Sequence, residues 1–188
     1  MATAIPLSPA YRRMTVREFL DADFGDAKVE LVDGVPLMMA GGSAQHALIA
    51  ANLISALTPK LRGRGCRAVG SDLALQTREH SVRFPDVSIY CPANPIDPQA
   101  RLLGDPVVVF EVLSPSTSTL DQHDKLAEYR GRPGIKMIVF IDPDRRRCRL
   151  VARTGPEAWT DAWLPEGADV RIDALDLIIP HDEIFALD

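Results

Sequence analysis

At 188 residues, with 46% hydrophobic and 25% charged side chains, the chain has the composition of an ordinary globular protein and enough length to bury a sizeable core. Its net charge of −5 argues against a protein that coats nucleic acid through its overall field, and no apolar run nears the roughly 18–20 residues needed to span a bilayer. Cys66, Cys91 and Cys148 are odd in number and share no metal-type spacing; with an N-terminus that lacks a secretion signal, they predict free thiols in a reducing cytoplasm.

In chain order, Thr15-Val-Arg-Glu18 has the spacing of a capping box and predicts a short helix over 16–21. Asp33-Gly34 is a two-residue hairpin signal between extended segments at 28–32 and 35–39. Behind a Ser43 cap, Ala47, Ala50, Ile54, Leu57 and Leu61 recur at helical spacing, with Pro59 placed to bend or end that helix. Extended pieces follow at 66–69, 73–77 and 82–90, then a proline-rich loop over 92–106 and an apolar strand over 107–113. After Ser114-Pro115-Ser116-Thr117, a charged helix over 120–130 carries Leu120, Leu126 and Ala127 as a thin apolar stripe. The strand IKMIVFID is hydrophobic on both faces, and segments 149–153, 170–172 and 175–179 read as further strands. With no repeat or linker, these elements predict one α/β domain. Two basic clusters, Lys60/Arg62/Arg64/Arg67 and Arg145/Arg146/Arg147/Arg149, read first as solvated turns and second as phosphate contacts.

Two strands carry a carboxylate among apolar neighbours: Asp86 in RFPDVSIY and Glu111 in VVVFEVLS. Alternation puts Asp86 on a polar face with Ser88 and Tyr90, but gives Glu111 the company of Val107, Val109 and Leu113, so Glu111 is expected to be walled in. An ionised carboxylate there is disfavoured unless compensated. Either a divalent cation shared with Asp86 answers that need, or Glu111 pairs with a buried lysine or arginine. Asp121, Lys125 and Tyr129 share one helical face, from which Lys125 can lean over the end of the Glu111 strand and act on a phosphate or an attacking water. His123, Asp124 and Glu128 are assigned to the solvated side of that helix.

The order MTVREFL, VELVDG, a helix near His46, FPDVSIY, VVVFEVLSPST, DKLAEY and IVFIDP resembles the Uma family of restriction endonuclease-like proteins, within the PD-(D/E)xK nuclease superfamily. The resemblance covers about 14–185, and FEVLSPST followed by DKLAEY is its most specific part. It implies an α/β (α+β), restriction endonuclease-like fold, a mixed β-sheet core flanked by helices, and a Mg²⁺ (or Mn²⁺) site for hydrolysing DNA phosphodiester bonds. Asp86 and Glu111 would be metal ligands, joined by the backbone carbonyl of Val112. Leu113 stands where the superfamily pattern expects lysine, so Lys125 would supply the catalytic ammonium from the following helix. Glu30, His46, Gln76 and Tyr129 are auxiliary positions: Glu30 is an extra ligand or an ion-pair partner, His46 touches a metal water or phosphate or is structural, and Gln76 is more a strand-edge residue than a cavity one. The rival readings are a catalytically weak nuclease-fold module for nucleic-acid or protein interaction, and a hydrolase of small phosphodiesters. A homodimer is expected on the ground that cutting both strands of DNA needs two sites.

Overall fold

The structure, a computed structural model, describes residues 12–39, 41–94, 96–114 and 119–187, with no side-chain description at 119–121. Pro115, Ser116 and Thr117, and the side chains of Leu120 and Asp121, lie outside the described residues. Helix α1 (Val16–Asp21) begins at the Thr15–Glu18 capping box, with both reciprocal bonds made. Strands β1 (Val29–Val32) and β2 (Val35–Met38) pair antiparallel around Asp33 and Gly34, whose φ values of 47° and 84° are those of the tight hairpin.

Helix α2 (Ala44–Leu61) starts at the Ser43 cap and continues through Pro59, which ends nothing because the helix closes two residues later. Its buried stripe is Ile49, Leu53, Leu57 and Leu61, whereas Ala47 is exposed, so the apolar face is rotated from the one expected. The larger side chains win the core position because they remove more apolar area from water.

The next elements are β3 (Arg67–Gly70), β4 (Leu75–Arg78), β5 (Ser81–Arg83) and β6 (Val87–Tyr90). The single strand expected over 82–90 is thus two strands in two different sheets. The break falls at Phe84-Pro85-Asp86, where Pro85 has no N–H to continue a ladder. β7 (Val108–Val112), α3 (Thr119–Arg130) and β8 (Met137–Asp142) form a parallel crossover unit. β9 (Arg147–Arg153) and β10 (Trp159–Trp163) form a hairpin, of which β10 had no expected counterpart. β11 (Val170–Ile172), β12 (Leu177–Ile179) and α4 (His181–Ile184) follow.

One sheet runs β2-β1-β5-β4 and the larger one β10-β9-β8-β7-β6-β3, so the fold is α+β with a mixed sheet. Val108, Phe110 and Val112 of β7 join the core beneath α2, with Met137, Val139 and Ile141 of β8. Val109 and, on β8, Ile138 and Phe140 pack instead with Leu126 and Tyr129 of α3. The two helices therefore cover opposite faces of one central pair of strands. Among the described residues no helix is long and apolar enough to cross a membrane.

The cysteines depart from expectation. Cys66 and Cys91 form a disulfide, and Cys148 is free and buried. β3 and β6 are antiparallel with Arg67 opposite Tyr90, so one further step sets residue 66 against 91; this proximity comes from strand register, which residue spacing does not reveal. Burial pushes the Cys148 thiol up to about 12, which leaves it unreactive near neutrality. Thiol titration of the unfolded chain should accordingly find about one reactive thiol before reduction and about three after it; three without reductant would show the bridge absent.

Candidate active site

Glu111 sits one position beyond Phe110 on β7, so alternation sends its side chain to the α3 face. There it meets two residues one turn apart on α3: Tyr129 donates its hydroxyl to Glu111 Oε1 at 2.5 Å, and Lys125 Nζ lies 3.5 Å from Oε2. Lys125 is also 3.2 Å from Glu30 Oε1 on β1. The expected buried lysine pairing and the expected lysine in the cleft are thus one and the same contact.

Asp86 reaches the same place from the junction between the two sheets. Because β6 is hydrogen-bonded to β7 with Val87 opposite Phe110, Asp86, the residue just before β6, lies beside the end of β7, and Val112 N donates to Asp86 Oδ2 at 2.7 Å. His46, in the first turn of α2, places Nε2 3.2 Å from the same oxygen. Gly42 makes room for that ring: a Cβ there would stand 2.9 Å from His46 Nδ1. The hydrogen bond to Asp86 raises the pKa of His46, against an opposing effect of burial.

A second layer locks these groups together. Arg83, the last residue of β5, donates Nη1 to Glu30 Oε2 at 2.7 Å, and Nε and Nη2 to the two oxygens of Glu128 at 2.9 and 2.8 Å. Thr77 adds a 2.6 Å bond to Glu128, and Phe84 N one of 3.3 Å to Glu30. Glu128 is therefore not on the solvated side of α3: it is 2% exposed, because it faces Thr77 and Arg83 of the smaller sheet, while the solvated flank carries His123, Asp124 and Ala127. Burial works against its ionisation, but the bonds from Arg83 and Thr77 outweigh it and leave its pKa below the ordinary value. His123 and Asp124 are exposed, as expected.

Sequence reasoning overlooked Arg83, Thr77 and Glu128 as a unit. The available signal was an arginine two residues before Pro85-Asp86, in a strand otherwise suited to burial, and an acid three residues beyond Lys125. Gln76 does not join the cluster; it stands on β4 and donates to Arg78 O at 3.1 Å, away from the residues that line the cleft.

Glu30, His46, Asp86, Glu111, Val112 and Lys125 all line one cleft of about 570 Å³. Among the described residues no three His, Cys, Asp or Glu side chains converge as a ready-made metal cage. The donor chemistry does suit a hard cation held mainly by water, which needs only one or two carboxylates. When ionised, Glu30, Asp86, Glu111 and Glu128 outnumber the permanent cations Arg83 and Lys125 by two charges among the described residues, the charge of one divalent ion.

Burial pushes the Glu111 carboxyl up to about 7; Asp86 and Glu30 add to this, while Lys125 and the Tyr129 hydrogen bond oppose it. The unfolded chain ionises this group near 4.5, so between 4.5 and about 7 the folded state binds more protons. The contribution of this carboxyl to stability falls as pH rises through that window and levels off above it, beside the parallel loss as His46 deprotonates. Urea midpoints of the metal-free protein from about pH 5 to about pH 8 should show this decline, and Glu111→Gln should reduce its slope; an equal slope in both would refute the assignment. Arg83→Met should cost about 3–5 kcal/mol in the same measurement, because it strands two buried carboxylates.

The chain matches the Uma2 family model, described as "Putative restriction endonuclease", over residues 11–176. Two uncharacterized proteins of Synechocystis sp. are similar to it. One, slr1290, is 35% identical over 119 residues, covering 61% of this chain and 60% of the relative's length. The other, sll1609, is 26% identical over 149 residues, covering 78% and 84%. Among solved structures, a "putative nuclease belonging to DUF820" from Anabaena variabilis superposes with a TM-score of 0.76 at 20% identity, covering 92% of this chain and 98% of that one, a likeness of fold. With the family model spanning most of its length, this chain belongs to the Uma2 family.

Proposed function

We propose that the protein is a Mg²⁺- or Mn²⁺-dependent nuclease that hydrolyses DNA phosphodiester bonds. The observation that carries this reading is the meeting of Asp86, Glu111 and Lys125 in one cleft, from three separate elements, with carboxylates in excess. Family membership and the fold of the Anabaena neighbour support nuclease chemistry in general.

Asp86, Glu111 and the backbone carbonyl of Val112 would hold the ion. When bound, a divalent cation polarises the phosphate and acidifies a water, supplying the nucleophile at neutral pH. The protein's own groups do the rest. Val112 N and His46 fix Oδ2 of Asp86, and among the described residues Oδ1 has no hydrogen bond, so one oxygen is positioned by protein and the other is available as a donor. Tyr129 holds Oε1 of Glu111 in the same way. Lys125, shared between Glu30 and Glu111, is placed to orient an attacking water and to stabilise negative charge on the phosphate as it develops. Lys125 lies inside the cleft beside Asp86 and Glu111, a placement that supports the enzyme over the binding module even as the same ammonium compensates buried Glu30 and Glu111.

Asp86→Ala and Glu111→Ala should each abolish both Mg²⁺ binding by calorimetry and Mg²⁺-dependent cleavage of DNA, with the fold retained by circular dichroism. Lys125→Met should keep metal binding and lose about 10²–10³-fold in turnover. Undiminished metal binding in both carboxylate variants would sink the site.

A further inference from the structure

The cleft has a second component that metal chemistry does not use. Phe24, Phe19 and Phe84 form a row of rings along one wall, with centroids 5.3 Å and 6.4 Å apart, and the row ends two residues before Asp86. Phe19 is buried, but Phe24 and Phe84 are only partly so. Beside them, Leu37 and Met38 of the edge strand β2 also line the cleft while 48% and 81% exposed. Side chains of this kind at the mouth of a polar cleft are unusual unless something apolar lies against them.

The charges at the mouth narrow what that is. Lys28 and Arg101 are the exposed cations there, and Asp23 and Asp72 are acids lining the same cleft. Lys28 is engaged by Ser71 at 3.3 Å and Arg101 by Asp21 at 3.6 Å. Duplex binding draws its affinity from many phosphate contacts by lysine and arginine, and among the described residues this mouth sets Asp23 and Asp72 beside its two exposed cations on a chain of net −5. The carboxylates are also recessed, with the Glu111 side chain 9% and the Asp86 side chain 17% exposed. A phosphate must enter the cleft to reach them, which a flexible strand does more readily than a stiff double helix.

Resting on the nuclease reading above, we infer that the partly exposed rings of Phe24 and Phe84, backed by buried Phe19, form a base-stacking subsite with Leu37 and Met38, and that the cleft takes single-stranded DNA in preference to duplex. An unpaired base offers a π-face to this wall whatever its identity, so stacking replaces the phosphate track as the source of affinity. The cleft's volume of about 570 Å³ falls in the range of small-ligand sites, a scale suited to a nucleotide or two of an extended strand.

The test is fluorescence anisotropy with a labelled single strand and the matching duplex, in Ca²⁺ so that binding is read without cleavage. The single strand should bind at least about tenfold tighter than the duplex, Phe24→Ala should weaken it by about tenfold, and Met38→Ala by about threefold through lost apolar contact. Met38 is exposed enough that its variant folds irrespective of Phe24→Ala, so it decides the matter alone if the latter is unstable. Duplex bound as tightly as single strand, no binding of either, or single-strand affinity unmoved by Met38→Ala would overturn the inference. Hydrolysis that depends on Asp86 is scored separately: duplex preference with such hydrolysis removes only the stacking subsite, whereas single-strand binding without any hydrolysis removes only the nuclease reading.

Discussion

A carboxylate taken out of water into the middle of a sheet is the constraint around which this protein is arranged. Glu111 lies between apolar residues of β7 that are themselves fully buried, and desolvation alone would hold it protonated. Its surroundings respond from three directions. The parallel pairing of β7 with β8 requires a crossover, and α3 is that crossover, so the helix that must cover this face brings Lys125 and Tyr129 with it. β6 pairs on the other side of β7 and brings Asp86. β1, from the smaller sheet, contributes Glu30 to the far side of the lysine. The result is a cluster in which each charge is tolerated only because of the others.

The buried acids in this cluster divide into two physical kinds. Glu128 has both oxygens occupied by the Arg83 fork and a threonine hydroxyl, and Glu30 takes bonds from Arg83, Lys125 and a backbone N–H. These two are satisfied by protein and serve to clamp α3 to the smaller sheet. Asp86 and Glu111 are less completely compensated: burial opposes the ionisation of Glu111, and these two are the carboxylates proposed above as ligands. Pro85 separates the two kinds along the chain: Arg83 belongs to one sheet and Asp86 to the entrance of the other, so a three-residue step carries the backbone from structural clamp to candidate ligand.

Acidic proteins that handle nucleic acid cannot rely on a long-range attractive field, so affinity must come from short-range contact. In the single-strand reading proposed above, the apolar wall of this cleft supplies it, next to the recessed carboxylates and on the exposed strand edge. A single strand as substrate also lifts the geometric argument for a homodimer, since one site then suffices for one cut.

Much of this was legible in the residues themselves because the signals are local. The capping box at Thr15, the Asp33-Gly34 hairpin, the Ser43 cap and the burial of Glu111 each follow from contacts within a few positions of the chain, where spacing translates directly into geometry. The family resemblance placed Asp86, Glu111 and Lys125 together, and the backbone brings them into one cleft. What local pattern could not decide was pairing between distant segments. The register of β3 against β6 joined two cysteines that spacing had left apart, and the break at Pro85 put one expected strand into two sheets. The position of α3 between those sheets buried Glu128, which its neighbours in sequence had marked for solvent. The sequence by itself therefore determined which elements form and which carboxylate must be compensated; the tertiary structure alone decided which side chains meet it, because those partners come from strands and helices whose contact depends on how the whole chain closes.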